Sequence, residues 1–262
     1  MDAHLPPAPR ALLRAVPDSF VNCVTGLPVA PPLDPDLARA QHHSYREALE
    51  AGGFDTSVLA ADEAHPDGSF IEDVAVVIGG RALATRPGHA SRRGEVAAVA
   101  AALAALMPVD RMEEPACLDG GDVLCVGDRV FVGISGRTNE AGIASLARFA
   151  GDRRRVVGVE VRGVLHLKSA VTALDEETLL MESGMVDPGP FEAMRIIPTP
   201  GGEHHAANVV RLPDGSILTA AESPQTAEVI SSAGFAIATV DVSEFGRADG
   251  GLTCLSIRMR VR

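Results

Sequence analysis

The stretch His65-Pro66-Asp67-Gly68-Ser69-Phe70-Ile71-Glu72-Asp73-Val74-Ala75-Val76-Val77-Ile78 holds the pattern that the rest of the chain repeats. It opens as a turn with three carboxylates in seven residues and closes as a short apolar run, Asp73 to Ile78, rich in Val and Ile. Such a run, bounded by turn residues, predicts a buried strand. Asp122 to Val126, Arg129 to Val132, Ser216 to Thr219 and Leu252 to Met259 read the same way. Between them lie helical patterns. From Asp36 to Ala51, Leu37, Tyr45, Ala48 and Leu49 fall on one face and Gly52-Gly53 supplies a stop. Ser91 can cap a helix with Val96, Val99, Ala100, Leu103 and Leu106 as its apolar stripe. Thr138 can cap another, with Glu140 in the first turn and Ile143, Leu146 and Ala150 inward. Ser223-Pro224 opens a fourth, running to Gly234, and a fifth is expected between Met185 and Met194. The helices recur roughly every 40 to 50 residues with strands between them, which suggests a repeated strand-strand-helix-strand unit. A doubly wound α/β sheet would give the same alternation. No shift in composition divides the chain, so a single domain over 1–262 is expected.

Composition narrows the function. The 262 residues carry 23 Lys and Arg against 35 Asp and Glu, a formal charge of −12. That surplus repels phosphate backbones and anionic lipid and favours a small cation as ligand. The longest apolar stretch, Val96 to Met107, is about half a membrane span, and the N-terminal segment has Asp and several Pro where a secretion signal needs an unbroken apolar region. A cytoplasmic protein with neither nucleic-acid nor membrane partners is therefore expected. Cys23, Cys117, Cys125 and Cys254 show no metal-ligand rhythm, so each is a small buried hydrophobe or a reactive thiol.

Six polar clusters stand beside the predicted strands. Asp67, Glu72 and Asp73 read either as a solvated acidic turn or as a cation clamp, since carboxylates that converge need a guanidinium or ammonium between them. Arg92 and Arg137 each lie near a helix start, where a cation opposes the helix dipole; beyond surface decoration, the two can form forks for a carboxylate. Asp119-Gly120-Gly121-Asp122 is a sharp turn between carboxylates, and His166 stands alone among apolar residues in Leu165-His166-Leu167-Lys168-Ser169. Asp249-Gly250-Gly251-Leu252-Thr253-Cys254 sets a thiol just inside a predicted strand, where it is either a core residue or a nucleophile.

In register, FIEDVAVV (70–77), TRPGHASRRGEV (85–96), LDGGDVL (118–124), FVGISGRTNEAG (131–142), LHLKS (165–169), HAAN (205–208) and DGGLTCLS (249–256) make the chain resemble the dimethylarginine dimethylaminohydrolase family of the guanidino-group-modifying superfamily. The resemblance covers nearly the whole chain. It implies a pentein fold, a five-bladed α/β propeller of strand-strand-helix-strand units around a central pocket. It implies Cys254 as nucleophile, His166 as general acid and base, and Asp119 as the group that orients the site. It further implies Glu72 and Asp73 at the guanidinium nitrogens, Asp67 with backbone carbonyls near Val24 and Ala248 at the α-amino group, and Arg92 and Arg137 at the α-carboxylate. The implied reaction converts dimethyl- or monomethylarginine to citrulline and the methylated amine through a covalent thiouronium, with no metal or organic cofactor. The expected partner is this small-molecule substrate, with a homodimer left open. A deiminase of arginine or another guanidino compound, and a non-catalytic arginine-binding module, are the alternatives. From the charges alone, Glu72, Asp73 and Asp119 should keep the Cys254 thiol protonated until a cationic substrate arrives.

Overall fold

Five three-stranded sheets share one local plan among the residues described by the computed structural model, 8–203 and 205–261. In the first unit, β1 (Ala8–Arg14) runs through α1 (Pro35–Ala51) to β2 (Asp55–Leu59), parallel to β1. The second unit is the hairpin β3 (Ala75–Ile78) and β4 (Arg81–Ala84), followed by α2 (Val96–Ala104) and parallel β5 (Val109–Arg111). The third repeats this with β6 (Val123–Val126), β7 (Arg129–Ile134), α3 (Glu140–Ala150) and β8 (Arg155–Glu160). The fourth starts from a one-turn helix, α4 (Leu167–Ala170), and contains β9 (Val171–Ala173), β10 (Thr178–Met181) and β11 (Arg195–Pro198). The fifth contains β12 (Val210–Arg211), β13 (Ile217–Ala220), α5 (Pro224–Ser232) and β14 (Ile237–Val240). The short α6 (Ser243–Arg247) leads to β15 (Ile257–Val261), which pairs antiparallel with β1. The last strand thus completes the first sheet and pairs one end of the chain with the other, as closed repeat folds do to remove free edges.

Local chemistry explains most boundaries and the departures from expectation. Asp34 caps α1, accepting from the Asp36 and Leu37 amides, with Pro35 at the first helical position. Ala38, Gln41, His42, Tyr45 and Leu49 form the buried face, while Leu37, expected inside, is exposed. The cap of α3 is Asn139, whose side chain accepts from the Gly142 amide at 2.8 Å; Thr138 instead donates its hydroxyl to buried Asp122 at 2.6 Å. At α5 the Ser223 side chain caps nothing, and the carboxylate of Glu203 takes the free Gln225 and Thr226 amides at 2.8 and 2.9 Å. The helix expected between Met185 and Met194 is a single 3-10 turn, Gly189–Phe191. Pro188 and Pro190 lack the amide a helix needs and Gly189 lowers its propensity, so the crossover shortens while Phe191 still packs on Phe131 with ring centroids 4.5 Å apart.

One error recurs in the strand expectations. Asp73 lies in a 3-10 turn (Ile71–Val74), Asp122 in another (Gly120–Asp122) and Cys254 in a third (Leu252–Leu255), each just ahead of the strand to which its apolar neighbours belong. These lead-in turns bring the polar clusters together. The core is divided among the units, the largest cluster gathering Leu13, Phe20, Tyr45, Leu49, Phe70 and Phe245. Among the described residues no helix is long and apolar enough to cross a membrane.

Candidate active site

The turns that lead into β3, β6, β9 and β15 contribute to one polar centre. Glu72 and Asp73 precede β3, Asp119 precedes β6, His166 precedes β9 and Cys254 precedes β15. His166 Nε2 lies 2.9 Å from Asp119 Oδ2 and 3.9 Å from Asp73 Oδ1. The second Asp119 oxygen accepts from the Gly88 amide at 2.8 Å, and Asp73 Oδ1 accepts from the Gly121 amide at 2.9 Å. The Gly-Gly pair is required by this crowding: a Cβ on Gly121 would lie 2.7 Å from His166 Nδ1 and 2.8 Å from Asp73 Oδ1, and one on Gly120 would meet the Glu72 carbonyl oxygen at 2.0 Å. Cys254 sits half-buried in its turn, with the Gly251 amide donating to Sγ at 3.5 Å.

The electrostatics give each group a protonation state. Burial alone would lower the pKa of His166, but the fields of Asp73 and Asp122 and the hydrogen bond to Asp119 outweigh it and raise the value to about 9. The ring is therefore an imidazolium at neutral pH. Burial, then the charges of Glu72 and Asp73, push the Cys254 thiol up to about 12, so the free protein holds a thiol. Asp73 stays ionised: burial opposes its charge, and His166 and Arg92 hold its pKa below the usual carboxylate range. The ligand atoms of Asp73, Asp119 and His166 lie within 4.8 Å of one another, a spacing that also suits a metal. As an imidazolium held between two carboxylates, His166 can also deliver a proton to a departing amine.

Glu72 is anchored through one oxygen and open at the other. Its Oε1 takes Lys168 Nζ at 2.5 Å and Arg258 Nη2 at 2.9 Å, whereas its Oε2 is buried without a hydrogen-bond partner. A buried carboxylate oxygen left open in this way suits an incoming N–H donor. Asp67 is buried within the fields of Arg92 and Asp73, with Oδ1 accepting from the Val24 amide at 3.1 Å. Val24 thus turns its amide toward this acidic group. Ala248 is buried at the end of α6, one residue before Asp249.

The two arginines divide. Arg92 is buried with its donors engaged inside the protein: Nε to Glu95, Nη1 to Asp73, and Nη2 to Glu95 and to the Asp67 and Phe70 carbonyls. The arrangement gives it the work of compensating Asp73 and Glu95, in place of the open carboxylate fork expected from its sequence position. Arg137 keeps that option. It lines a cleft of about 870 Å³ with Val24, Leu27, Leu165, His205 and Asp249, and its Nη1 is 3.7 Å from Asp119 Oδ2.

Sequence reasoning missed four participants. Lys168 and Arg258 seat Glu72; Asp249, at φ 58°, accepts from the Gly26 amide at 2.6 Å and ties the Val24 loop to the Cys254 turn; Asn208 bridges two turns. Lys168, Asp249 and Asn208 all lie in the quoted motifs, so the signal was present without a role attached. Arg258, inside a strand, gave none.

Comparison with known proteins places this geometry in a family. Residues 100–207 match the family model described as arginine deiminase. The chain is 45% identical over 231 residues to N(G),N(G)-dimethylarginine dimethylaminohydrolase of Streptomyces coelicolor, covering 87% of this chain and 88% of the relative. It is 35% identical over 230 residues to the Pseudomonas aeruginosa protein of the same name, covering 86% and 90%. The solved structure of a cysteine-to-serine variant of the Pseudomonas aeruginosa enzyme with citrulline superposes with a TM-score of 0.91 at 31% identity, covering 95% of this chain and 98% of that one. The five sheets are accordingly the five units of the pentein fold, and the doubly wound alternative falls. With relatives this similar along most of its length, the chain belongs to the dimethylarginine dimethylaminohydrolase family.

Proposed function

We propose that this protein hydrolyses Nω,Nω-dimethyl-L-arginine, and the monomethyl form, to L-citrulline and the methylated amine, with the described units acting as one catalytic domain in the cytoplasm on a free amino acid. The observation that carries the reading is the open, buried Oε2 of Glu72 in the same centre as a thiol and an Asp119-bound imidazolium. Two carboxylates, Glu72 and Asp73, match the two faces of N–H donors on a guanidinium. The cation they hold offsets the charges that keep Cys254 protonated, and the thiol proton leaves to solvent as substrate binds.

The steps follow from these groups. The Cys254 thiolate forms an S–C bond to the guanidinium carbon; the C–N bond to dimethylamine breaks as His166 delivers its proton to that nitrogen, leaving an S-alkylthiouronium. Water then adds to the same carbon and gives its proton to His166. The C–S bond breaks as the remaining hydroxyl proton is lost to solvent; citrulline is released, Cys254 departs as thiolate with the imidazolium restored, and the thiolate takes a proton from solvent as the site empties. Asp119 holds the ring in line through both transfers. Arg137 faces the cleft where an α-carboxylate would lie, and Asp67 suits the α-ammonium.

Deimination of unmethylated arginine would use the same groups, and the arginine deiminase match over residues 100–207 keeps it as the second reading. An assay of citrulline from dimethyl-, monomethyl- and unmethylated arginine, with the released amine identified, separates the two. Dimethylamine from the dimethyl form as the preferred reaction supports the main reading; ammonia from arginine as the preferred reaction overturns it.

A further inference from the structure

Four of the five turns that precede a unit's first strand supply a group to the site described above. The fifth, His205-Ala206-Ala207-Asn208 before β12, supplies no acid, base, nucleophile or cation-binding carboxylate, although His205 lines the cleft. Asn208 is buried, and its side-chain amide makes three hydrogen bonds. Its Oδ1 accepts from the Thr253 amide at 2.8 Å, and its Nδ2 donates to Thr253 Oγ1 at 3.1 Å and to the Lys168 carbonyl oxygen at 2.9 Å. Thr253 is the residue before Cys254, and Lys168 lies two residues after His166. One planar amide therefore spans the turn that holds the nucleophile and the turn that holds the acid–base group.

The surrounding geometry leaves this bridge little slack. The Cys254 amide donates to the Gly251 carbonyl at 3.1 Å, closing the nucleophile's turn, and a Cβ on Gly251 would lie 2.6 Å from Asn208 Cγ. On the other side, the Ser169 amide donates to the His166 carbonyl at 3.1 Å, so the Lys168 carbonyl belongs to a turn that begins at His166 itself. Asn208 also has the chemistry for the task, since an amide accepts from one turn and has two N–H donors, one for each turn, whereas an ionised carboxylate has no donor and a hydroxyl only one.

We propose that Asn208 is a positioning residue for this reaction: it fixes the Cys254 turn against the His166 turn, completing a five-fold use of the lead-in turns. The inference rests on the reading of Cys254 and His166 as nucleophile and acid–base group. A misplacement of about 1 Å between two such groups costs about 10²-fold in rate, so the bridge acts on turnover more than on binding.

The test measures steady-state hydrolysis of dimethylarginine by the full chain carrying Asn208→Ala or Asn208→Asp, beside Cys254→Ser. Asn208→Asp keeps the acceptor for the Thr253 amide but sets a carboxylate oxygen against the Lys168 carbonyl, separating the two halves of the bridge. For both variants kcat should fall about 10- to 100-fold while KM stays within about threefold. Folding is followed by circular dichroism, and if Asn208→Ala unfolds, the near-isosteric Asn208→Asp decides alone. Wild-type kcat in a folded variant, kcat and KM changing together in proportion to lost protein, or unfolding of both variants would overturn the inference. If Cys254→Ser is inert while the Asn208 variants behave as wild type, the positioning role alone falls. If Cys254→Ser turns over, the catalytic reading beneath it falls.

Discussion

Arg137 Nη1 stands 3.7 Å from Asp119 Oδ2, the oxygen that also meets His166 Nε2 at 2.9 Å. A side chain that lines the cleft therefore also touches the carboxylate that orients the acid–base group. A substrate carboxylate drawn to Arg137 would compete with Asp119 for that guanidinium and strengthen the hold of Asp119 on His166. Under the proposed function, recognition at one end of the substrate would thereby be coupled to chemistry at the other.

Replacing Arg137 with Met should lower kcat/KM for dimethylarginine by about 30-fold or more, the scale expected when one partner of a desolvated charge pair is removed. The loss should be much smaller for a guanidino substrate without a carboxylate. Equal losses for both substrates would contradict the coupling.

The Cys254 thiol should remain protonated at neutral pH in the free protein, because burial and the Glu72 and Asp73 charges all disfavour a thiolate. Ultraviolet titration of the thiolate, with Cys254→Ser as blank, should show its transition far into the alkaline range. Glu72→Gln removes one of the opposing charges and should move that transition to lower pH while sharply weakening substrate binding. A thiolate already present at neutral pH in the wild type would refute this.

His166 links stability to pH. Its folded-state pKa of about 9 lies above its ordinary 6.5, so the native state holds the proton more tightly than the unfolded chain. The stabilisation is fully present below about pH 6.5 and is lost as pH rises through about 9, a change on the order of 3 kcal/mol for this buried group. Thermal unfolding across that window should show Tm falling in the wild type and nearly flat in His166→Asn. On the acid side the sign reverses for Asp73, whose depressed pKa contributes stability that is lost as pH falls through its folded-state value.

Gly121→Ala should fold less stably and lose most turnover, since its Cβ would fall 2.7 Å from His166 Nδ1 and 2.8 Å from Asp73 Oδ1. The same change at Gly136, where a Cβ meets nothing within 4 Å, should leave kcat near wild type. Comparable kinetics for the two variants would show that the close packing around the imidazole is not needed.

The strand-strand-helix-strand rhythm was legible because Val- and Ile-rich runs and capped amphipathic helices carry local signals. The lead-in turns were not: Asp73, Asp122 and Cys254 stand beside apolar residues and read as strand, while a 3-10 turn has no periodicity of its own. The fourth crossover was misread because its helix is replaced by a Pro-Gly-Pro turn whose remaining apolar anchor, Phe191, mimics helical burial. Residue type indicated that Asp67, Glu72 and Asp73 could clamp a cation. It could not show that Arg92 spends its guanidinium on Asp73 as well as on nearby Glu95, because the Asp73 contact spans 19 residues of chain. Asn208 was invisible for the same reason: its partners lie 40 and 45 residues away.

The most direct test of the central claim is acid quench of the enzyme during steady turnover of dimethylarginine, followed by peptide mass mapping. The expected result is a mass gain on the peptide holding Cys254 equal to dimethylarginine less dimethylamine, appearing and decaying at rates that account for citrulline formation. Citrulline produced while Cys254 stays unmodified, or an adduct that retains the dimethylamino group, would contradict covalent hydrolysis at this thiol.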